Sequence, residues 1–198
     1  MENFSTGQMR LVEEPKKPLA MNPKKFAMWL FLASVIMLFA SLTSAYVVRR
    51  ANGDWEVFAL PLMFYFSSII IVISSVTMQL AYWSAKQDQL TRVKLYTTIT
   101  AALGAIFVAT QLMGWNELVA NGVHFSFDHP AGSFVYVLSG VHGVHLVSAI
   151  IFLVIVWASA NKMKISSKNL AQIEMCTTYW HFLGGLWLYL FIFLTYFR

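Results

Sequence analysis

From Gly132 to Ala160 the chain contains no Lys, Arg, Asp or Glu. A helix rises about 1.5 Å per residue, so roughly 20 apolar residues cross the hydrocarbon of a bilayer. The run is longer than that, so it spans with tilt or projects beyond the membrane. It nevertheless carries two imidazoles, His142 and His145, three residues apart and therefore on one helix face. Gly140 and Gly143 sit in the same turn, where a neighbouring helix can come close. Ionisable side chains inside a membrane are costly and face protein rather than lipid. The stretch therefore predicts an embedded helix with partner helices around it, and its histidines require a role.

The remaining sequence supplies those partners. Of its residues 58% are hydrophobic and 12% are charged, where a soluble domain has about a quarter charged. Four more apolar runs cover about 26–48, 58–82, 95–115 and 177–197. The predicted fold is all-α, an integral membrane bundle of five transmembrane helices. Residues 1–25 are polar, contain Pro15, Pro18 and Pro23, and lack the apolar core of a signal peptide, so they read as a flexible tail ahead of a 26–198 membrane domain. Eleven of the Lys and Arg residues fall in the tail, the 82–95 loop and the 160–177 loop; Arg49, Arg50 and Arg198 fall on the other side. That bias predicts a cytoplasmic N-terminus and an external C-terminus. The net charge of +5 flanks apolar runs, which points to a membrane surface and not to nucleic acid.

Small and polar residues recur along each run: Ser34, Ser41 and Ala45; Ser67, Ser68, Ser74 and Ser75; Gly104, Gln111 and Gly114; His181, Gly184 and Gly185. These stripes predict helix packing, with hydroxyls and amides bonded across interfaces. Glu174 lies seven residues before His181, on a similar face. It either pairs with that imidazole or sits in interfacial water. Cys176, the only cysteine, permits no internal disulfide and no dithiolate site, and reads as a small helix residue.

Two metal readings follow from the histidines. A bis-histidine haem needs facing imidazoles at one depth; His145 and His181 are the available pair, and their depths match poorly. His124, Asp128 and His129 in the external loop offer a second set, though an exposed loop is the simpler reading. A metal site needs three or four ligands, and His142 and His145 have no carboxylate or thiolate beside them on their helix. No phosphate-binding glycine loop or nucleophilic triad setting is present. A small transporter would show repeats or helix breaks inside the runs; no repeat is visible, and the one proline within a run is Pro61, near an end.

The order Gly132-Ser133 then Gly140-Val-His142-Gly-Val-His145, followed by Glu174-Met-Cys-Thr-Thr-Tyr-Trp180-His181-Phe182 and Trp187-Leu-Tyr-Leu-Phe191, resembles subunit III of haem-copper terminal oxidases. Leu103 to Gln111 and Phe26 to Ser34 resemble two of the helices that precede those motifs in that family. The resemblance implies an accessory subunit of a proton-pumping oxidase, cytochrome c or quinol type, in a bacterial inner membrane. It implies partners in oxidase subunits I and II, bound phospholipid, and possible membership of a larger respiratory assembly. Haem and copper are then carried by partner subunits, with no cofactor, metal ligand or catalytic residue in this chain. His142, His145, Glu174, Trp180 and His181 carry over as structural or lipid-contacting groups, with Gly140, Gly143, Gln111, Gly184 and Gly185 as packing positions. The chain departs from the family in having five spans where many members have seven. It also has Val35, Gly114 and Gly184 where the family often has acidic residues, so proton transfer by this chain's own carboxylates is not implied.

Overall fold

A computed structural model describes residues 23–51, 55, 58–125, 130–161 and 170–197. Its elements are α1 Pro23–Arg50, α2 Leu62–Lys86, α3 Leu90–Ala120, α4 Pro130–Asn161 and α5 Ala171–Phe197. All five are long and apolar enough to cross a membrane. Most of the tail lies outside the described residues, but α1 starts at Pro23, so Lys24 and Lys25 are helical rather than part of a tail. α3 and α5 also begin before the apolar runs predicted. Their first turns mix charged and polar residues with apolar ones, of which Val93 and Ile173 are buried, and the helical hydrogen-bond ladder continues through them.

The helix ends follow from local chemistry. α1 and α4 open on proline, whose fixed φ and missing N–H suit a first helical position. α2 ends in a left-handed residue, Asp88 at φ 54°. The Gln89 N–H donates to the Ser84 carbonyl at 3.0 Å and the Asp88 N–H to Ala85 at 3.2 Å. α3 ends the same way, with Gly122 at φ 81°, Val123 N–H to Leu118 at 3.0 Å and Gly122 N–H to Val119 at 3.0 Å. Both are Schellman closures, which satisfy the last helical carbonyls. The tight turn after α2 folds α3 back beside it.

α2 and α3 form the closest pair. α5 packs against α2, α4 and α1, α3 packs against α4, and among the described helices α1 packs only against α4 and α5. Trp180 and Trp187 of α5, Phe64 of α2, Phe107 of α3 and Phe39 of α1 are fully buried where these helices meet.

The small-residue stripes divide by helix. Gly104 lies under the Trp180 ring, and a Cβ there would sit 2.8 Å from Trp180 Cη2. Gly114 lies under Phe64 in the same way, at 2.5 Å from Cε1. Gly184 faces Ser75 Oγ at 3.2 Å, and Gly140 meets only the Trp115 ring at 3.7 Å. Gly143 and Gly185 have nothing within 4 Å of a built Cβ, so neither brings a helix of this chain close, contrary to the packing expectation. Gly185→Ala is therefore expected to be neutral or stabilising by up to about 1 kcal/mol, through helix propensity alone. Equilibrium unfolding in bicelles checks this.

The α1 stripe also departs from expectation. Ser34, Ser41 and Ala45 point away from the other helices, and both serines bond only to carbonyls of their own helix. The buried face of α1 is instead Leu32, Val35, Phe39, Thr43 and Tyr46. Small residues mark a face that permits packing; they do not say which of two faces this chain uses.

Candidate functional site

A row of interior polar groups runs along α2. Ser68 Oγ accepts the Trp187 indole N–H at 3.0 Å, and Ser74 Oγ accepts that of Trp180 at 3.1 Å. Ser67 Oγ accepts from Gln111 Nε2 at 2.7 Å, Thr77 and Thr100 hydroxyls meet at 2.8 Å, and Gln79 Oε1 meets His181 Nε2 at 3.0 Å. Ser67 and Ser68 donate their own hydrogens to the Phe64 carbonyl at 2.9 and 2.8 Å. Each of these serines is thus a donor within its helix and an acceptor toward a neighbour, which lets a polar side chain sit in a membrane interior without an unmet hydrogen. Since Gln79 Oε1 can only accept, His181 Nε2 carries its ring proton.

The two histidines of α4 have separate surroundings. His142 is 1% exposed and lies among Phe39, Phe107 and Trp187, with ring centroids 6.4, 6.2 and 5.5 Å away. Neither of its ring nitrogens has a hydrogen-bond partner among the described residues. His145 is half-buried against Phe31 and Phe39, and its Nδ1 donates to the Val141 carbonyl at 2.8 Å. Tyr179 of α5 reaches both Ser148 Oγ at 2.7 Å and the His145 carbonyl at 3.2 Å.

Glu174 does not pair with His181. It lies in the first turn of α5 and accepts from Lys25 Nζ at 2.7 Å, fastening the start of α5 to the start of α1. His181 is turned to Gln79 of α2, and seven residues on a helix proved too far for the two side chains to meet. Cys176 is a buried free thiol. Trp180 is buried, with its ring on Gly104 and its N–H on Ser74. His124 is exposed, while Asp128 and His129 lie outside the described residues. Among the described residues no three His, Cys, Asp or Glu side chains gather as a metal-ion site. His145 is engaged with α1 and His181 with α2, so the two imidazoles proposed for a haem do not face a common point.

The geometry is that of a scaffold fastened by indole–hydroxyl, amide–hydroxyl and amide–imidazole pairs. Comparison with known proteins gives that scaffold a family: the one described as Cytochrome c oxidase subunit III matches residues 16–198. The chain belongs to the cytochrome c oxidase subunit III family. It is 29% identical over 173 residues to cytochrome c oxidase subunit 3 of Bacillus sp. (strain PS3), covering 85% of this chain and 83% of that protein. Against cytochrome c oxidase subunit 3 of Corynebacterium diphtheriae it is 30% identical over 169 residues, 82% of each chain. The probable quinol oxidase subunit 3 of Staphylococcus saprophyticus is 26% identical over 176 residues, covering 86% and 87%.

The chain is thus a subunit III of a haem-copper oxidase and a multi-pass membrane protein. For subunit III, the structure separates the residues the sequence grouped together. Trp180, Gly184 and Gln111 serve the α2-centred interface. His145 faces α1, Glu174 holds α1, and His142 sits alone in the aromatic core. Trp187, Gln79, Tyr179 and Lys25 were missing from the site reading. The first had a signal: Trp180 and Trp187 are seven apart on α5, and Ser68 and Ser74 are six apart on α2, close enough for antiparallel helices to pair Trp180 with Ser74 and Trp187 with Ser68.

Proposed function

We propose that this chain is the non-catalytic accessory subunit of a proton-pumping haem-copper oxidase that reduces O2 to water. It packs on oxidase subunit I beside subunit II, holds phospholipid, and supports proton uptake and stability. The observation that carries this reading is the use made of the interior polar side chains. They fasten helix to helix one pair at a time along α2, and the histidines are engaged with different helices instead of converging on a reacting point. In this reading haem and copper belong to the partner subunits. The charge bias supports an N-terminus on the cytoplasmic side of a bacterial inner membrane. Because Val35 and Gly184 stand where the family often has acids, support for proton uptake acts through how the complex is held rather than through carboxylates of this chain.

The test is co-purification. A tagged chain taken from native membranes is expected to bring down a large subunit bearing haem and copper, with oxidase activity. Capture of the chain without any oxidase subunit overturns the reading. A finer test uses His181→Leu, which leaves Gln79 without its imidazole. It is expected to cost about 1 kcal/mol of stability and to shorten the time the subunit stays in the complex, while initial O2 consumption is retained. Loss of initial turnover in a fully assembled complex contradicts the non-catalytic assignment.

A further inference from the structure

Between α3 and α4 runs a groove of about 340 Å³. Its rims are exposed side chains, Leu112 of α3 and Val144 and Val147 of α4. Gly140 and Gly143 also line it. A Cβ built on Gly143 meets nothing within 4 Å, and one on Gly140 meets only the Trp115 ring, at 3.7 Å. Open small positions like these let the backbone of another helix come close in a membrane.

Glycines alone assign no partner, but two polar side chains lining the same groove narrow the choice. His142 is 1% exposed and has no partner for either nitrogen among the described residues. Gln111 gives an amide hydrogen to Ser67 at 2.7 Å, while its Oε1 is buried and unmet. Ser139, which also lines the groove, is satisfied: it accepts the Trp115 N–H and donates to the Val135 carbonyl. Depth narrows the choice further. His142 lies twelve residues into α4 and Gln111 nine residues before the end of α3. At about 1.5 Å per residue, both sit about 14 to 18 Å from the helix ends that share their side, within a hydrocarbon layer about 30 Å thick. A phospholipid headgroup stays at the surface, and an acyl chain has no hydrogen to donate. A side chain on a transmembrane helix can carry a polar group to that depth.

We infer that a transmembrane helix of another oxidase subunit docks in the α3–α4 groove, its backbone against Gly140 and Gly143, and brings a hydroxyl or carboxamide side chain to His142 and Gln111. This rests on the accessory-subunit reading and adds the docking face and the chemistry of the contact. Gln111 Oε1 can only accept, so the visiting group must donate; an imidazole can do either. Both His142 nitrogens lie beneath the surface, and a half turn of the ring, which exchanges carbon and nitrogen in the same volume, re-aims them.

The experiment uses the assembled oxidase in native membranes. The photo-crosslinker p-benzoylphenylalanine is placed at Val144, and the captured peptide is read by mass spectrometry. It is expected to come from a membrane span of another oxidase subunit and to contain Ser, Thr, Asn or Gln. Gly143→Leu fills the groove and is expected to lower retention of this subunit in the solubilised complex about tenfold or more, with unfolding of the full chain in bicelles unchanged. Gly185→Leu, at the equally open glycine on α5, leaves retention unchanged. His142→Leu lowers retention about threefold, the weight of a typical interhelical hydrogen bond in a membrane. Crosslinks to lipid alone or to a second copy of this chain, a captured span without those residues, or equal retention of the Gly143→Leu and Gly185→Leu variants overturns the inference, while co-purification of the unaltered chain with the oxidase leaves the accessory-subunit reading standing. Absence of any oxidase subunit beside the unaltered chain overturns both.

Discussion

Trp180→Ala is expected to destabilise the chain by about 3–5 kcal/mol, more than any other single truncation considered for this protein. Trp180 is 1% exposed and lies between α5, α2 and α3. Its ring fills the space above Gly104, and its N–H donates to Ser74. Removing the ring leaves a cavity that Gly104 cannot help close, because glycine has no side chain to move into it. Transfer of apolar area from water contributes little inside a lipid bilayer, so the loss comes from packing contacts and from the orphaned Ser74 oxygen. Trp180→Phe retains most of the volume and loses the hydrogen bond, for about 1 kcal/mol. Reversible unfolding by steric trapping in bicelles measures both. A Trp180→Ala cost below that of Trp180→Phe means that the ring is not the element joining the three helices.

His142→Leu is expected to act in the opposite direction, stabilising the isolated chain by up to about 1.5 kcal/mol. The imidazole is 1% exposed and finds no protein partner for either nitrogen. An unmet polar group in such surroundings costs about 1–3 kcal/mol. Leucine has a similar volume and no polar atom. Against the gain stands the loss of ring contacts with Phe39, Phe107 and Trp187, which are edge-on or tilted and contribute about 0.5–1.5 kcal/mol each. Three strong contacts would outweigh the gain, at about 4.5 kcal/mol together, but their centroids lie 5.5 to 6.4 Å away, toward the weak end, where the three together contribute about 1.5 kcal/mol. The measurement is made on the chain alone and again in the oxidase. Destabilisation in the complex alone shows that a group from another subunit reaches the ring. Destabilisation of the isolated chain removes the argument from unmet polarity.

These sites show where a sequence is readable and where it is not. The five helices were plain, because uncharged runs of that length have few alternatives in a bilayer. Their ends were less plain: Gln172 and Glu174 interrupt the apolar pattern at the start of α5, yet helix continues there and buries Ile173. The Ser and Gly stripes of α2 and α3 pointed to interfaces that exist, because a hydroxyl or a missing side chain inside a membrane has few other uses. The stripe of α1 pointed outward because its opposite face, Leu32, Val35 and Phe39, competes successfully for the interior. Pairings were the least legible. Helix spacing put Glu174 and His181 on similar faces, but Lys25 lies 149 positions away in the chain from Glu174, and no local pattern announces a partner at that distance. The separation of His142 from His145 has the same origin. Three residues turn a helix by about 300°, which leaves the two imidazoles about 60° apart on one side of α4, enough for one to enter the aromatic core and the other to meet α1.

Among the described helices α1 packs only against α4 and α5, and this affects the order in which the five assemble. Ribosomes deliver α1 ahead of α2 and α3, which close their own hairpin as soon as both have emerged. α1 meets no helix of this bundle until α4 is synthesised, a wait of several seconds at ordinary elongation rates. Its Lys25 meets Glu174 only when α5 begins to leave the translocon, so α1 is captured by helices made after the α2–α3 hairpin has closed.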